Sequence, residues 1–129
     1  MRALVIDDAS SMRKLLKMLL SDAGFSVTEA ADGQDALERL VEMECPDLIL
    51  VDWNMPRMNG LEFVQSMRRD SAYDAARVML VTSESQVDQV LSAIQAGANE
   101  YIMKPFTAES LLEKLTILGF NVETEAGQI

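Results

Sequence analysis

Five polar residues close four apolar runs. Asp7 and Asp8 follow residues 3–6, Asp52 follows 48–51, Thr82 follows 78–81, and Lys104 follows 101–103. If those ends meet, three carboxylates share one hollow. Their mutual repulsion grows with burial, so the arrangement calls for a cation. Hard oxygen ligands with room for water suit magnesium, with manganese able to substitute, and the backbone carbonyl of Asn54 can add another oxygen. Lys104 offers a compact positive charge to Asp52 from the other side. Magnesium and lysine around one carboxylate suit phosphoryl transfer, in which positioning and charge neutralisation do most of the work. Asp52 is the candidate nucleophile, forming an acyl phosphate. Lys104 and the Thr82 hydroxyl are candidate partners for the phosphoryl oxygens. A plainer reading makes Asp52 a strand end and Lys104 a surface lysine before a turn.

What brings the ends together is an alternation of strand and helix. Four of the runs are short and continuously apolar, as strands buried on both faces are. The five predicted strands are 3–6, 25–29, 47–51, 77–81 and 100–103. The first helix is expected to be capped by Ser10 or Ser11 and to bury Met12, Leu15, Leu16, Leu19 and Leu20. Gly24 stops it. A second helix opens at Asp32-Gly33 and turns Ala36, Leu37, Leu40 and Val41 inward. A third runs from about 60 to 69 over Phe63, Val64 and Met67. The fourth carries Val87, Val90, Leu91 and Ile94 and stops at Gly97. The fifth starts near Thr107 and packs Leu111, Leu112, Leu115 and Leu118.

Five alternations predict an α/β fold, a five-stranded parallel sheet with helices on both faces. The flavodoxin-like order 2-1-3-4-5 puts strands one and three side by side at the switch point, with Asp7 beside Asp52. Residues 1–120 form the domain, and a polar tail of 121–129 is expected to fray.

The acid pair Asp7-Asp8, the run Asp52-Trp53-Asn54-Met55-Pro56-Arg57-Met58-Asn59-Gly60, Thr82 and Lys104-Pro105-Phe106 together resemble the receiver domain of two-component response regulators. The match spans about residues 2 to 119, and the detail is most similar to the stand-alone chemotaxis members. The resemblance implies that Asp52 takes its phosphoryl group from a sensor histidine kinase, with Asp7, Asp8 and the Asn54 carbonyl holding magnesium. It implies a cis bond before Pro105. It also implies a switch, in which Thr82 moves toward the phosphoryl group and Tyr101 rotates into the vacated space. The surface of the fourth helix, fifth strand and fifth helix is then read by a partner, such as a flagellar motor switch component or a phosphotransfer protein. The resemblance also implies a phosphatase as a further partner. Asn54 and Glu84 would tune dephosphorylation, which is expected to be fast. Arg57 and Gln86-Val87 depart from the best-known chemotaxis members, which carry lysines at the start of the fourth helix.

Composition narrows the rest. The 129 residues carry 21 acidic and 11 basic side chains, a net charge of -10. That field disfavours nucleic acid and anionic membrane as partners. There is no histidine, so histidine ligands and bases are excluded. The single cysteine, Cys45, fits a reducing cytoplasm and is expected to fill a small apolar gap at a helix end. The amino terminus reaches two acids too early for a signal peptide, and a monomer is expected. With no DNA-binding segment after the receiver pattern, output is expected through protein contact. Alternatives stay open: a phosphorelay intermediate, a receiver excised from a longer regulator, or an aspartate-nucleophile phosphohydrolase. The last usually has an acid where Asn54 stands. A cofactor binder of the same fold would need a phosphate loop where Asp7-Asp8-Ala9 stands, and a scaffold would lack site residues.

Overall fold

A computed structural model describes residues 1–83 and 88–122. Glu84, Gln86, Val87 and the tail beyond 122 lie outside the described residues. The chain runs β1 (Arg2–Ile6), α1 (Ser10–Asp22), β2 (Ser26–Ala30), α2 (Gly33–Glu42), β3 (Leu48–Asp52), α3 (Gly60–Arg68), a 3₁₀ turn at Ser71–Tyr73, β4 (Arg77–Thr82), α4 (Val90–Ala96), β5 (Glu100–Met103) and α5 (Ala108–Ile117). All strands are parallel, in the order β2-β1-β3-β4-β5. This is the predicted α/β architecture.

Successive strand residues face opposite sides of the sheet, so each buried strand feeds two cores. Leu4, Ile6, Ile49, Val51, Val78 and Leu80 meet Ala36 and Leu40 of α2, Phe63, Val64 and Met67 of α3, and Ala93 of α4. Ala3, Val5, Leu48, Leu50, Met79 and Val81 meet Leu16 and Leu20 of α1 and Leu111 and Leu115 of α5. Phe25 and Phe120 close that side edge to face, with ring centroids 5.3 Å apart. Every residue of β3 is buried, as expected of a central parallel strand.

The helices carry their own stops and starts. Asn59 and Glu62 form a capping box at α3, and Thr107 and Ser110 form one at α5. Asp32 caps α2 by accepting from the Asp35 N–H. Gly24 and Gly97 follow α1 and α4 in the left-handed region that favours glycine.

Several expectations need correction. The residue before α1 is Ala9, with no side-chain cap, so neither Ser10 nor Ser11 is its N-cap. Asp7 Oδ1 accepts the Ala9 N–H at 2.9 Å, and the Arg13 N–H, which a cap at Ser10 would have served, donates instead to Ala9 O at 3.1 Å. Leu15, Val41, Leu91 and Ile94 are exposed, because each helix buries a narrower stripe than its apolar residues span. Cys45 is also exposed, in the loop after α2 rather than in a gap at its end.

Candidate functional site

The register sets the site. Ile6 pairs with Val51, Asp52 with Val81, and Thr82 with Met103, so all four strand ends reach the same rim. Alternation then sorts their side chains. Asp7 continues the series Ala3, Val5; Asp52 continues Leu48, Leu50; Lys104 continues Ile102. All three series face α1 and α5. Thr82 continues Val78, Leu80, which face the other core, where Tyr101 also packs.

Asp7 and Asp52 are 1% and 7% exposed, whereas Asp8 is open to solvent. Each of the three offers a carboxylate oxygen, and these oxygens lie within 4.8 Å of one another. Lys104 Nζ sits 3.5 Å from Asp52 Oδ1 and 3.6 Å from Asp7 Oδ2. Burial first, and then the Asp7 charge, push the Asp52 carboxyl above the usual carboxylate range. Lys104 and the hydrogen-bonding Asn54 N–H pull the other way.

Asp7 is held from three sides. Its N–H donates to Ala30 O at 3.1 Å, its carbonyl accepts from Arg13 Nη1 at 2.7 Å, and Oδ1 accepts from Ala9. Its Oδ2 is buried and has no hydrogen-bond partner among the described residues. A buried carboxylate oxygen in that state is costly unless something else meets it. With only the Lys104 ammonium near it among the described residues, at 3.6 Å, and two further carboxylates close by, that group fits a divalent cation with oxygen ligands.

Lys104 is brought in by backbone. Its N–H donates to Thr82 O at 2.7 Å, extending the β4–β5 ladder by one residue, and the Lys104–Pro105 bond is cis. Thr82 is buried, and its hydroxyl lies 3.3 Å from the Ser83 carbonyl. Tyr101 is half-buried, with Lys114 Nζ 4.7 Å from its ring centroid and 3.0 Å from Glu100. Glu84 lies outside the described residues.

Beside the acids, Asp8, Trp53, Asn54, Met55, Pro56 and Asn59 line an open hollow. Behind the lining loop, Gly60 packs against the end of β3. A Cβ there would stand 2.9 Å from Asp52 O and 3.1 Å from Trp53 Cα, both backbone atoms that cannot step aside. Gly60→Ala is expected to cost about 1–3 kcal/mol in urea unfolding. A loss below about 0.5 kcal/mol, within the range of an ordinary surface change, would show that the approach is not tight.

Two residues escaped the sequence reading. Arg57 forks onto Asp32, with Nε 3.0 Å from Oδ2 and Nη2 2.9 Å and 2.7 Å from Oδ1 and Oδ2. Asp32 had signalled only a helix start, and Arg57 only a departure from a pattern. Nothing in a linear sequence joins positions on two different loops.

The model of the response regulator receiver domain family matches residues 3–116. The chain is 42% identical over 123 residues to the chemotaxis protein CheY1 of Helicobacter pylori, covering 94% of this chain and 99% of that protein. It is 44% identical over 116 residues to the chemotaxis protein CheY-3 of Vibrio cholerae, covering 89% and 88%. Among solved structures, the chemotaxis protein CheY4 of Vibrio cholerae matches with a TM-score of 0.83 at 35% identity, over 90% of this chain and 96% of that one.

Proposed function

The chain belongs to the response regulator receiver domain family, and we propose that it is a CheY-type chemotaxis regulator that accepts a phosphoryl group on Asp52 from a sensor histidine kinase. One observation carries the reading. A carboxylate buried to 7% exposure shares Lys104 with Asp7, and a third carboxylate is close enough for all three to meet one cation. Asp7, Asp8, Asp52 and the Asn54 carbonyl would hold magnesium, which when bound supplies neutralisation of phosphoryl charge. In the transfer, an Asp52 oxygen attacks phosphorus, the P–N bond to the kinase histidine breaks, and its electron pair returns to the ring nitrogen. Lys104 neutralises a phosphoryl oxygen, and the Thr82 hydroxyl donates to another.

The output follows from the sheet. A phosphoryl group adds roughly -1.5 to -2 charge and new acceptor oxygens at the end of β3. Thr82 turns toward it, and Tyr101, on the same side of the sheet, fills the space left. Leu91, Ile94 and Met103 are 65%, 39% and 39% exposed on α4 and β5, an apolar surface suited to a protein partner such as a flagellar motor switch component. Such a molecule signals rather than turning over a substrate. Its place is the cytoplasm, where kinase and target meet. No helix among the described residues is long and apolar enough to cross a membrane.

The test is chemical. With acetyl phosphate and magnesium, intact mass should rise by a single phosphoryl group; no gain in mass would overturn the reading. The metal has its own readout. At free magnesium ten times its dissociation constant, the fold should gain about 1.4 kcal/mol in thermal unfolding. Asp8→Ala should remove most of that gain, with the Trp53 fluorescence change on titration lost in parallel. A full gain in the Asp8→Ala protein would place the cation elsewhere.

A further inference from the structure

We propose that the Arg57–Asp32 ion pair is a positioning clasp for the loop that carries Asn54, and that it sets how tightly the acidic pocket holds a divalent cation. The inference rests on the reading of the pocket given above.

Arg57 has φ 65°, and it is the non-glycine residue with positive φ among those described. A long side chain rarely adopts that conformation, so something outside the residue holds it. The fork onto Asp32 does so. Asp32 is itself fixed: it is 8% exposed, and its Oδ1 caps α2 through the Asp35 N–H at 2.8 Å. The next residue makes a second contact with the same helix end. The Met58 side chain lies over Gly33, where a Cβ would stand 2.7 Å from Met58 Cγ. A third tie, Gly60 N–H to Trp53 O at 3.0 Å, closes the loop on itself.

Between these ties, Asn54 and Pro56 are exposed. Asn54 stands two residues past Asp52 and lines the hollow together with Asp8. A loop released from α2 samples more conformations, and only some present that residue to the pocket. Apparent cation affinity falls by the fraction that remains competent.

A simple charge effect predicts the opposite sign for one variant. Removing the positive Arg57 would make the pocket more attractive to a cation. A clasp predicts weaker binding. Arg57→Asn is therefore decisive, since asparagine tolerates the left-handed conformation and lacks the guanidinium.

The experiment titrates magnesium by Trp53 fluorescence in the parent, Arg57→Asn, Asp32→Asn and the double variant. Arg57→Gly serves as a second variant free of backbone strain. Each single change should raise the magnesium dissociation constant about threefold, as expected if roughly a third of the loop conformations stay competent. The double variant should be no weaker than the weaker single one, because both remove the same clasp. At saturating magnesium, the phosphorylation rate with acetyl phosphate should return to near the parent's. Affinity that is unchanged or tightened in both Arg57 variants, or losses that add in the double, would overturn the clasp while leaving the pocket intact. A parent with no magnesium response would overturn the pocket reading and the clasp with it.

Discussion

Asp52→Asn should gain no phosphoryl group from acetyl phosphate and magnesium, and without magnesium it should melt at a higher temperature than the parent. The first outcome follows from losing the nucleophile. An amide cannot attack phosphorus to form the acyl phosphate, and among the described residues the other carboxylate against Lys104 is Asp7, which is more deeply buried, at 1% exposure. Uptake that persisted in this variant would move the acceptor to another residue.

The second outcome follows from electrostatics. The folded-state pKa of Asp52 is raised, by burial first and by the Asp7 charge next. The protonated carboxyl is therefore the form that the fold favours. Its stabilising contribution is present below the ordinary carboxylate value and is lost as pH rises through the raised folded value. At neutral pH the parent bears a charge that the fold resists, and Asn does not. The gain for Asp52→Asn should be about 1–2 kcal/mol at pH 7, set by relief of a close like charge and partly offset by loss of the Lys104 contact. It should shrink as the pH approaches about 4. Magnesium should reverse the ranking, because the parent gains from the cation and the variant loses a ligand. Equal melting temperatures for the two proteins in chelator would refute this account of the pocket.

Arg68→Met should cost about 4 kcal/mol in urea unfolding, with little change in magnesium affinity. Arg68 closes α3 at the rim away from the acids. Its Nε donates to Gly97 O at 3.1 Å, Nη1 to Tyr73 O at 2.7 Å, and Nη2 to Ala76 O at 2.7 Å and Asn99 Oδ1 at 3.1 Å. One guanidinium thereby ties the end of α3 to the 3₁₀ turn, the approach to β4, the end of α4 and the approach to β5. Gly97 makes room for it, since a Cβ there would stand 2.8 Å from Arg68 Cγ. Methionine keeps most of the stem and leaves several carbonyls without their donor. The spread of five rigid donors is what lysine lacks, so Arg68→Lys should recover less than half of the loss, about 2 kcal/mol at most. A cost below about 1 kcal/mol for Arg68→Met would mean that water replaces the guanidinium easily.

The fold was legible because its signals are local. Runs such as Leu48-Ile49-Leu50-Val51, too short for helices and broken by Pro46 and Asp52, read as buried strands. The helices between them read from spacing. Five strands joined by right-handed crossovers leave few sheet orders, and the order puts Asp7 beside Asp52. Helix faces were less legible. Leu15, Val41, Leu91 and Ile94 fit the apolar spacing yet stay exposed, since the width of the buried stripe depends on the neighbouring helix and not on the helix itself. The start of α1 was also misread: the helix begins with Ala9 as its cap residue, one position before Ser10, and the Arg13 N–H donates to the Ala9 carbonyl.

The linear order of residues thus determined which side chains close the strands and on which side of the sheet each one emerges, because both depend only on an alternation of period two. Tertiary structure alone decided how close those side chains come, how deeply Asp52 is buried, and that Asp7 Oδ2 is left without a donor. It also decided the meetings between distant segments: Arg57 with Asp32, and the last residue of α3, Arg68, with four carbonyls. The reason is that such contacts join residues whose separation along the chain carries no periodic signal, so they exist only after the sheet has assembled and brought the loop ends within hydrogen-bonding range.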